Sequence, residues 1–142
     1  MIYVIIGMGL LFVAIGFIVT ENNAKYLLSG YNTMSEEDRR KVNIHSYIPF
    51  FRRFHVFLGL SFLLLGVIFS FINEIAVGIF LGVYPISAYI YFLWSSVRYV
   101  KGLSTKGNKI GIYVLSGSLV FVIVIFVLGL KEDKLTIAEN KI

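Results

Sequence analysis

The chain contains no cysteine, two prolines, two histidines and one tryptophan in 142 residues. Without cysteine there is no disulfide framework, no thiolate metal site and no thiol redox chemistry. The histidines, His45 and His55, have no partner at a ligand spacing such as H-x-x-x-H, so no metal and no other cofactor is expected. Both read as solvated or interfacial side chains. Charge is scarce too: 15% of residues are charged, where a soluble domain carries about a quarter. The scarcity is also segregated, because residues 1–19, 56–72, 75–97 and 110–130 contain no charged side chain at all.

What fills those runs is hydrocarbon. The chain is 58% hydrophobic with a mean hydropathy of +0.84. A run of about 20 apolar residues matches a hydrocarbon layer of roughly 30 Å at about 1.5 Å per residue. The pattern predicts an all-α, polytopic integral membrane protein forming a single membrane domain. Its four transmembrane helices are expected at about residues 2–20 (extending to 29), 53–72, 75–98 and 110–130. A short cytoplasmic helical insert, 21–52, separates the first two, and a tail, 131–142, follows the last. The first run is read as a helix, not a cleaved leader: no basic residue precedes it and no small-x-small site precedes Thr20.

Charge placement gives an orientation. Lys25, Arg39, Arg40, Lys41, Arg52 and Arg53 fall in the first loop, and Arg98, Lys101, Lys106 and Lys109 in the third. Lys131, Lys134 and Lys141 in the tail oppose them. The positive-inside rule therefore predicts a bacterial cytoplasmic membrane protein with both termini outside the cytoplasm. The excess of base reads as topology and headgroup contact through Arg39, Arg40, Lys41, Arg52, Arg53, Arg98 and Lys101, not as nucleic-acid binding.

Absences inside the runs narrow the function. Pumps and ion-coupled transporters usually need ionisable groups within the bilayer, and none lies there away from the ends. An enzyme needs a nucleophile with a base, paired carboxylates or a metal, and no such set is spaced in the sequence. Tyr84 and Tyr89 require hydroxyl partners within the bundle, where packing is preferred to a lipid or quinone pocket. Gly59 and Gly66, Gly9 and Gly16, and the G-x-x-x-G of Gly78 and Gly82 read as helix-packing positions within one bundle. Pro85 is expected to kink the third span beside Ser87.

One stretch does not read as membrane helix: LLSGYNTMSEEDRRK, residues 27–41. Ala24, Leu27, Leu28 and Tyr31 follow an amphipathic helical spacing, so the first helix is expected to run on and stop at Gly30, past which a left-handed residue is cheap only as glycine. Ser35 is placed to cap a second helix with Glu36, Glu37 and Asp38 in its first turn. Glu36 with Arg40 and Glu37 with Lys41 are i, i+4 pairs. That helix is expected to end before Pro49, which restarts the chain into the second span. Gly30, Tyr31, Asn32, Thr33 and Ser35 are the candidate partner-binding or loop-structuring residues.

The order Ala24-Lys25-Tyr26-Leu27-Leu28-Ser29-Gly30-Tyr31-Asn32-Thr33-Met34-Ser35, followed by acids, resembles the signature of small bacterial membrane proteins grouped as domain of unknown function 3784. That resemblance implies a bacterial inner-membrane location and brings no activity. Gly30, Thr33, Ser35, Glu36, His55 and Gly59 are also similar to positions in the immunity-protein family of the sporulation-delaying toxin system. The tryptophan expected there between the acids and the basic stretch is missing, and the spacing is shorter. The expected function is a non-enzymatic accessory or interaction protein whose loop binds a partner or organises the bundle. The partners would be the lipid bilayer and another membrane protein or a second copy. Alternatives are a toxin-immunity or signalling role, and a small oligomeric transporter or channel.

Overall fold

A computed structural model describes residues 1–28, 30–100 and 106–139, with side chains described except at 106–108 and beyond 129. Among these the protein is all-α, with helices α1 (Ile2–Ile18), α2 (Ala24–Leu27), α3 (Glu36–Arg40), α4 (Ile44–Ser70), α5 (Glu74–Ser96) and α6 (Lys106–Glu139). A single 3-10 turn, Val97–Tyr99, extends α5. Among the described residues three segments are long and apolar enough to cross a membrane: Ile44–Ser70, Glu74–Tyr99 and Lys109–Gly129. The expected first span instead forms a shorter apolar helix of 17 residues.

The helices pack in a row, α1 on α4, α4 on α5 and α5 on α6. Glycine sets the α1–α4 approach. Gly9 faces Gly59, Gly16 faces the Arg52 carbonyl and His55, and Gly66 faces Ile5, so the pair runs antiparallel. Gly78 and Gly82 meet Phe126 and Val122 of α6. Such close backbone approach lets the helices gain dispersion contact along their length. Phe12, Phe62 and Phe80 interlock between α1, α4 and α5, with ring centroids 5.4 Å (Phe12–Phe62) and 5.1 Å (Phe62–Phe80) apart. The Asn73 side chain accepts the Ala76 N–H at 2.8 Å and starts α5 directly after α4, which keeps those two antiparallel.

Three boundaries differ from the sequence reading. The first helix does not continue to residue 29. It stops at Ile18, where Asn23 Nδ2 donates to the Ile18 carbonyl at 2.8 Å and Arg52 Nε to the Gly16 carbonyl at 3.4 Å. The helix after Ser35 does not run toward Ser46; it ends at Arg40. The second span starts at residue 44, not near 53, because the Asn43 side chain accepts the Ser46 N–H at 3.2 Å. Pro49 therefore lies inside α4. Its missing N–H costs a single bond, to the His45 carbonyl, within the opening turns. Pro85 likewise sits inside α5, and Ser87 Oγ donates to the Val83 carbonyl at 2.9 Å, not to the Leu81 carbonyl that Pro85 leaves without a donor.

Candidate functional site

The segment between α1 and α4 folds as a small capped structure. Thr20 N–H donates to Asn23 Oδ1 at 2.7 Å, reversing the chain so that α2 returns over the bundle. Ala24 and Leu28 are buried against Val19, Ile48, Phe51 and Phe92. The amphipathic spacing thus identified buried positions correctly at Ala24 and Leu28, although they belong to a separate helical turn, and Leu27 is exposed.

Gly30 has φ +85° and nothing within 4 Å of where a Cβ would stand. Backbone conformation, not space, is what requires glycine there. The next residues then tie the loop to itself. Asn32 N–H donates to the Leu28 carbonyl at 3.0 Å and Thr33 Oγ1 to the Gly30 carbonyl at 3.1 Å. Arg39 Nη2 donates to the Asn32 carbonyl at 3.3 Å, from one helical turn into α3. Ser35 Oγ accepts the Asp38 N–H at 3.1 Å and caps α3. Tyr31 is half-buried and packs on the Val19–Phe92 cluster. The Asn32 side chain is exposed and has no hydrogen-bond partner among the described residues.

The basic residues divide by role. Arg39 turns inward to the loop carbonyl. Lys41 pairs with Asp38 at 2.8 Å and with Glu37 at 3.7 Å, while Glu36 and Arg40 form no ion pair among the described residues. Hydrogen bonds from Lys41 and Ser35 hold the Asp38 carboxyl below its usual range, and Asp38 raises the Lys41 ammonium. Arg52 stacks over Phe17 with its guanidinium 5.3 Å from the ring, besides capping α1. Arg98 Nε donates to the Ser95 carbonyl at 2.8 Å, and its guanidinium lies over Phe50 and Tyr99. Arg40 and Arg53 are exposed. Lys101 lies outside the described residues.

A non-local contact closes the site. Val42 bridges antiparallel to Val100, and Asn43 N–H donates to the Tyr99 carbonyl at 2.9 Å, so the end of α5 anchors the start of α4. Beneath Gly30, Tyr31 and Met34 this leaves a cavity of about 100 Å³, floored by Tyr47 and Ser96.

Two histidines occupy different settings. His45 is exposed, with Nδ1 2.7 Å from Glu21 Oε2. His55 is not an interfacial anchor: it is 2% exposed, enclosed by Phe51, Phe54, Tyr89 and Phe92. Its Nδ1 lies 2.8 Å from the Phe51 carbonyl, which can only accept, so Nδ1 carries the proton. Nε2 of the neutral ring then accepts from the Tyr89 hydroxyl at 3.3 Å. Tyr84 OH lies 2.6 Å from Ser61 Oγ, so both deep tyrosines have partners within the bundle. The pairing of His55 with Tyr89, 34 positions along the chain, has no local signature; the Asn43 cap was missed as well, although an Asn three residues before Ser46 is a local signal that could have found it. Among the described residues no group of three or more His, Cys, Asp or Glu side chains is placed to hold a metal ion.

Long apolar helices carrying a self-tied polar loop at one end define an all-α protein of a kind compatible with a membrane. Residues 6–100 match the model of the family described as Domain of unknown function (DUF3784), and the chain belongs to that family. The match includes the whole loop, α4 and α5. No curated protein and no solved structure matches the chain, so the resemblance to immunity proteins gains no support from either.

Proposed function

We propose that this is a non-enzymatic accessory or interaction protein of the bacterial cytoplasmic membrane, which recognises a partner membrane protein through the loop Gly30–Ser35. In this reading α1 is a fourth span. Its 17 residues reach about 25 Å, at the short end of what crosses a hydrocarbon layer of roughly 30 Å. Both termini then lie outside the cytoplasm. The loop, with Arg40 and Arg53 at headgroup level, faces inward, where basic residues meet anionic lipid.

The observation that carries this reading is the division of labour within the loop. Thr33 and Arg39 satisfy the Gly30 and Asn32 carbonyls, which fixes the backbone, while the Asn32 amide is exposed and has no partner among the described residues. A preorganised loop presenting a free amide loses little entropy when it binds, which favours recognition over a merely structural turn.

Chemical cross-linking in native membranes, followed by capture of the full chain, tests the proposal. Asn32→Ala is expected to lose a discrete cross-linked partner without changing thermal stability. Thr33→Ala is expected to lose the partner and to loosen the loop as well. The same partners from Asn32→Ala as from the unaltered chain would remove the loop from the account.

A further inference from the structure

A cleft of about 380 Å³ opens where α1 ends and α4 begins. It is lined by Thr20 and Glu21 from the chain reversal after α1, and by Ile48, Pro49, Arg52 and Arg53 from the opening turns of α4. Its level in the bundle follows from the antiparallel packing of these two helices. Gly16 approaches the Arg52 carbonyl, so the last turn of α1 and Arg52 stand at the same height. The uncharged runs 1–19 and 56–72 both stop within about a turn of that height. The cleft therefore lies at the edge of the apolar layer, where lipid headgroups begin if α1 and α4 span a membrane.

Both signs of charge line this cleft, and they are not spent on each other. Among the described residues no ion pair joins Glu21 to Arg52 or Arg53. His45 Nδ1 takes one carboxylate oxygen of Glu21, Oε2, at 2.7 Å, and leaves Oε1. Arg52 is fixed in place: its Nε donates to the Gly16 carbonyl at 3.4 Å and its guanidinium lies 5.3 Å from the Phe17 ring. Its two terminal nitrogens, and the whole guanidinium of Arg53, have no hydrogen-bond or ion-pair partner among the described residues. A guanidinium presents paired N–H groups that match the oxygens of a phosphate. An ionised carboxylate only accepts, so it matches a group that donates N–H. A bare phosphate would be repelled by Glu21, and a bare ammonium by the arginines. A headgroup carrying both charges on a short spacer suits all three side chains.

We propose that this cleft binds the headgroup of a zwitterionic phospholipid bearing a primary ammonium, with the phosphate on Arg52 and Arg53 and the ammonium on Glu21. The assignment rests on the membrane reading of α1 and α4 given above. It does not depend on the loop having a protein partner, because no residue of Gly30–Ser35 lines the cleft.

The probe is an equimolar mixture of phosphatidylethanolamine, phosphatidylcholine and phosphatidylglycerol of one acyl composition, added to the full-length protein in detergent. Native mass spectrometry reads which lipid stays bound. Phosphatidylethanolamine is expected to be retained over both others. Choline has no N–H for Glu21 to accept, and phosphatidylglycerol brings net negative charge to the carboxylate. Glu21→Gln is expected to lower retention of phosphatidylethanolamine about two- to fivefold, the scale of an exposed charge pair, and to raise that of phosphatidylglycerol. Arg53→Gln is expected to lower phosphatidylethanolamine by a similar factor. Arg40→Gln, outside the cleft, is expected to change nothing. Glu21, Arg53 and Arg40 are all exposed, so these changes leave the packed helices untouched. Excess inorganic phosphate is not expected to displace the lipid. Equal retention of the three lipids, a preference for phosphatidylglycerol in the unaltered chain, displacement by inorganic phosphate, or retention unchanged in Glu21→Gln and Arg53→Gln would overturn the proposal. Retention of no lipid by any of these chains would overturn the membrane reading along with it.

Discussion

A methyl group added to Gly59 would stand 2.6 Å from the Gly9 carbonyl oxygen and 2.9 Å from the Val13 nitrogen. These are backbone atoms, which cannot swing aside as a side-chain tip can, so α1 and α4 would have to separate. Gly59→Ala is therefore expected to destabilise the protein by about 1–3 kcal/mol, the cost of overpacking a well-packed contact. Gly117→Ala, where nothing lies within 4 Å, is the matched control and is expected to shift stability by no more than about 0.5 kcal/mol. Thermal denaturation of the two variants in the same detergent checks the difference.

Gly30→Ala tests the loop by another route. The added methyl would touch nothing, so any loss comes from holding a φ of +85°. A left-handed residue with a Cβ costs about 1–2 kcal/mol, and Asn, which tolerates that region better, is expected to recover part of it. Limited proteolysis between α2 and α3 should quicken in Gly30→Ala and less so in Gly30→Asn.

The start of α3 is expected to respond to pH at both extremes. Asp38 titrates below its ordinary 3.8, so its contribution is complete above that value and lost as pH falls through the lowered one. Lys41 titrates above its ordinary 10.5, so its share is complete below that value and lost as pH rises through the raised one. Amide NMR signals of residues 36–41 should hold steady in the neutral range and move at both limits, and Asp38→Asn should reduce the acidic change at its own position and at Lys41. Because these side chains are exposed, the effect on global stability should be small.

The two tyrosine pairs within the bundle should differ in cost. Tyr89→Phe leaves His55 Nε2 without a donor in an aromatic enclosure and is expected to cost about 1–3 kcal/mol. Tyr84→Phe is expected to cost about 0.5–1.5 kcal/mol, because Ser61 Oγ keeps the Phe57 carbonyl at 2.6 Å and the Leu58 carbonyl at 3.1 Å. Unfolding of the pair under identical conditions ranks them.

What the sequence revealed was what is local. Uncharged runs located the long helices, and Ser35 announced its cap. The break after Ile18 escaped because the spacing of Ala24 and Leu28 looks the same whether one helix continues or a second begins on the same face. Pro49 drew the start of α4 too late, since a proline near the beginning of a helix costs one bond and Asn43 supplies the actual signal. His55 was misjudged because Arg52 and Arg53 beside it suggest an interface, while its partners Tyr89 and Phe92 lie on another helix. The bridge from Val42 to Val100 and the cavity that both residues line with Tyr47 are non-local in the same way.

The central claim is that the fixed loop presents Asn32 to another protein. A photo-cross-linking amino acid at position 32, irradiated in native membranes, tests it most directly, with the same group at Phe71, exposed at the far end of α4, as control. The account predicts one discrete protein adduct from position 32 that is absent from position 71. No adduct at 32, or the same adducts from both positions, would contradict it.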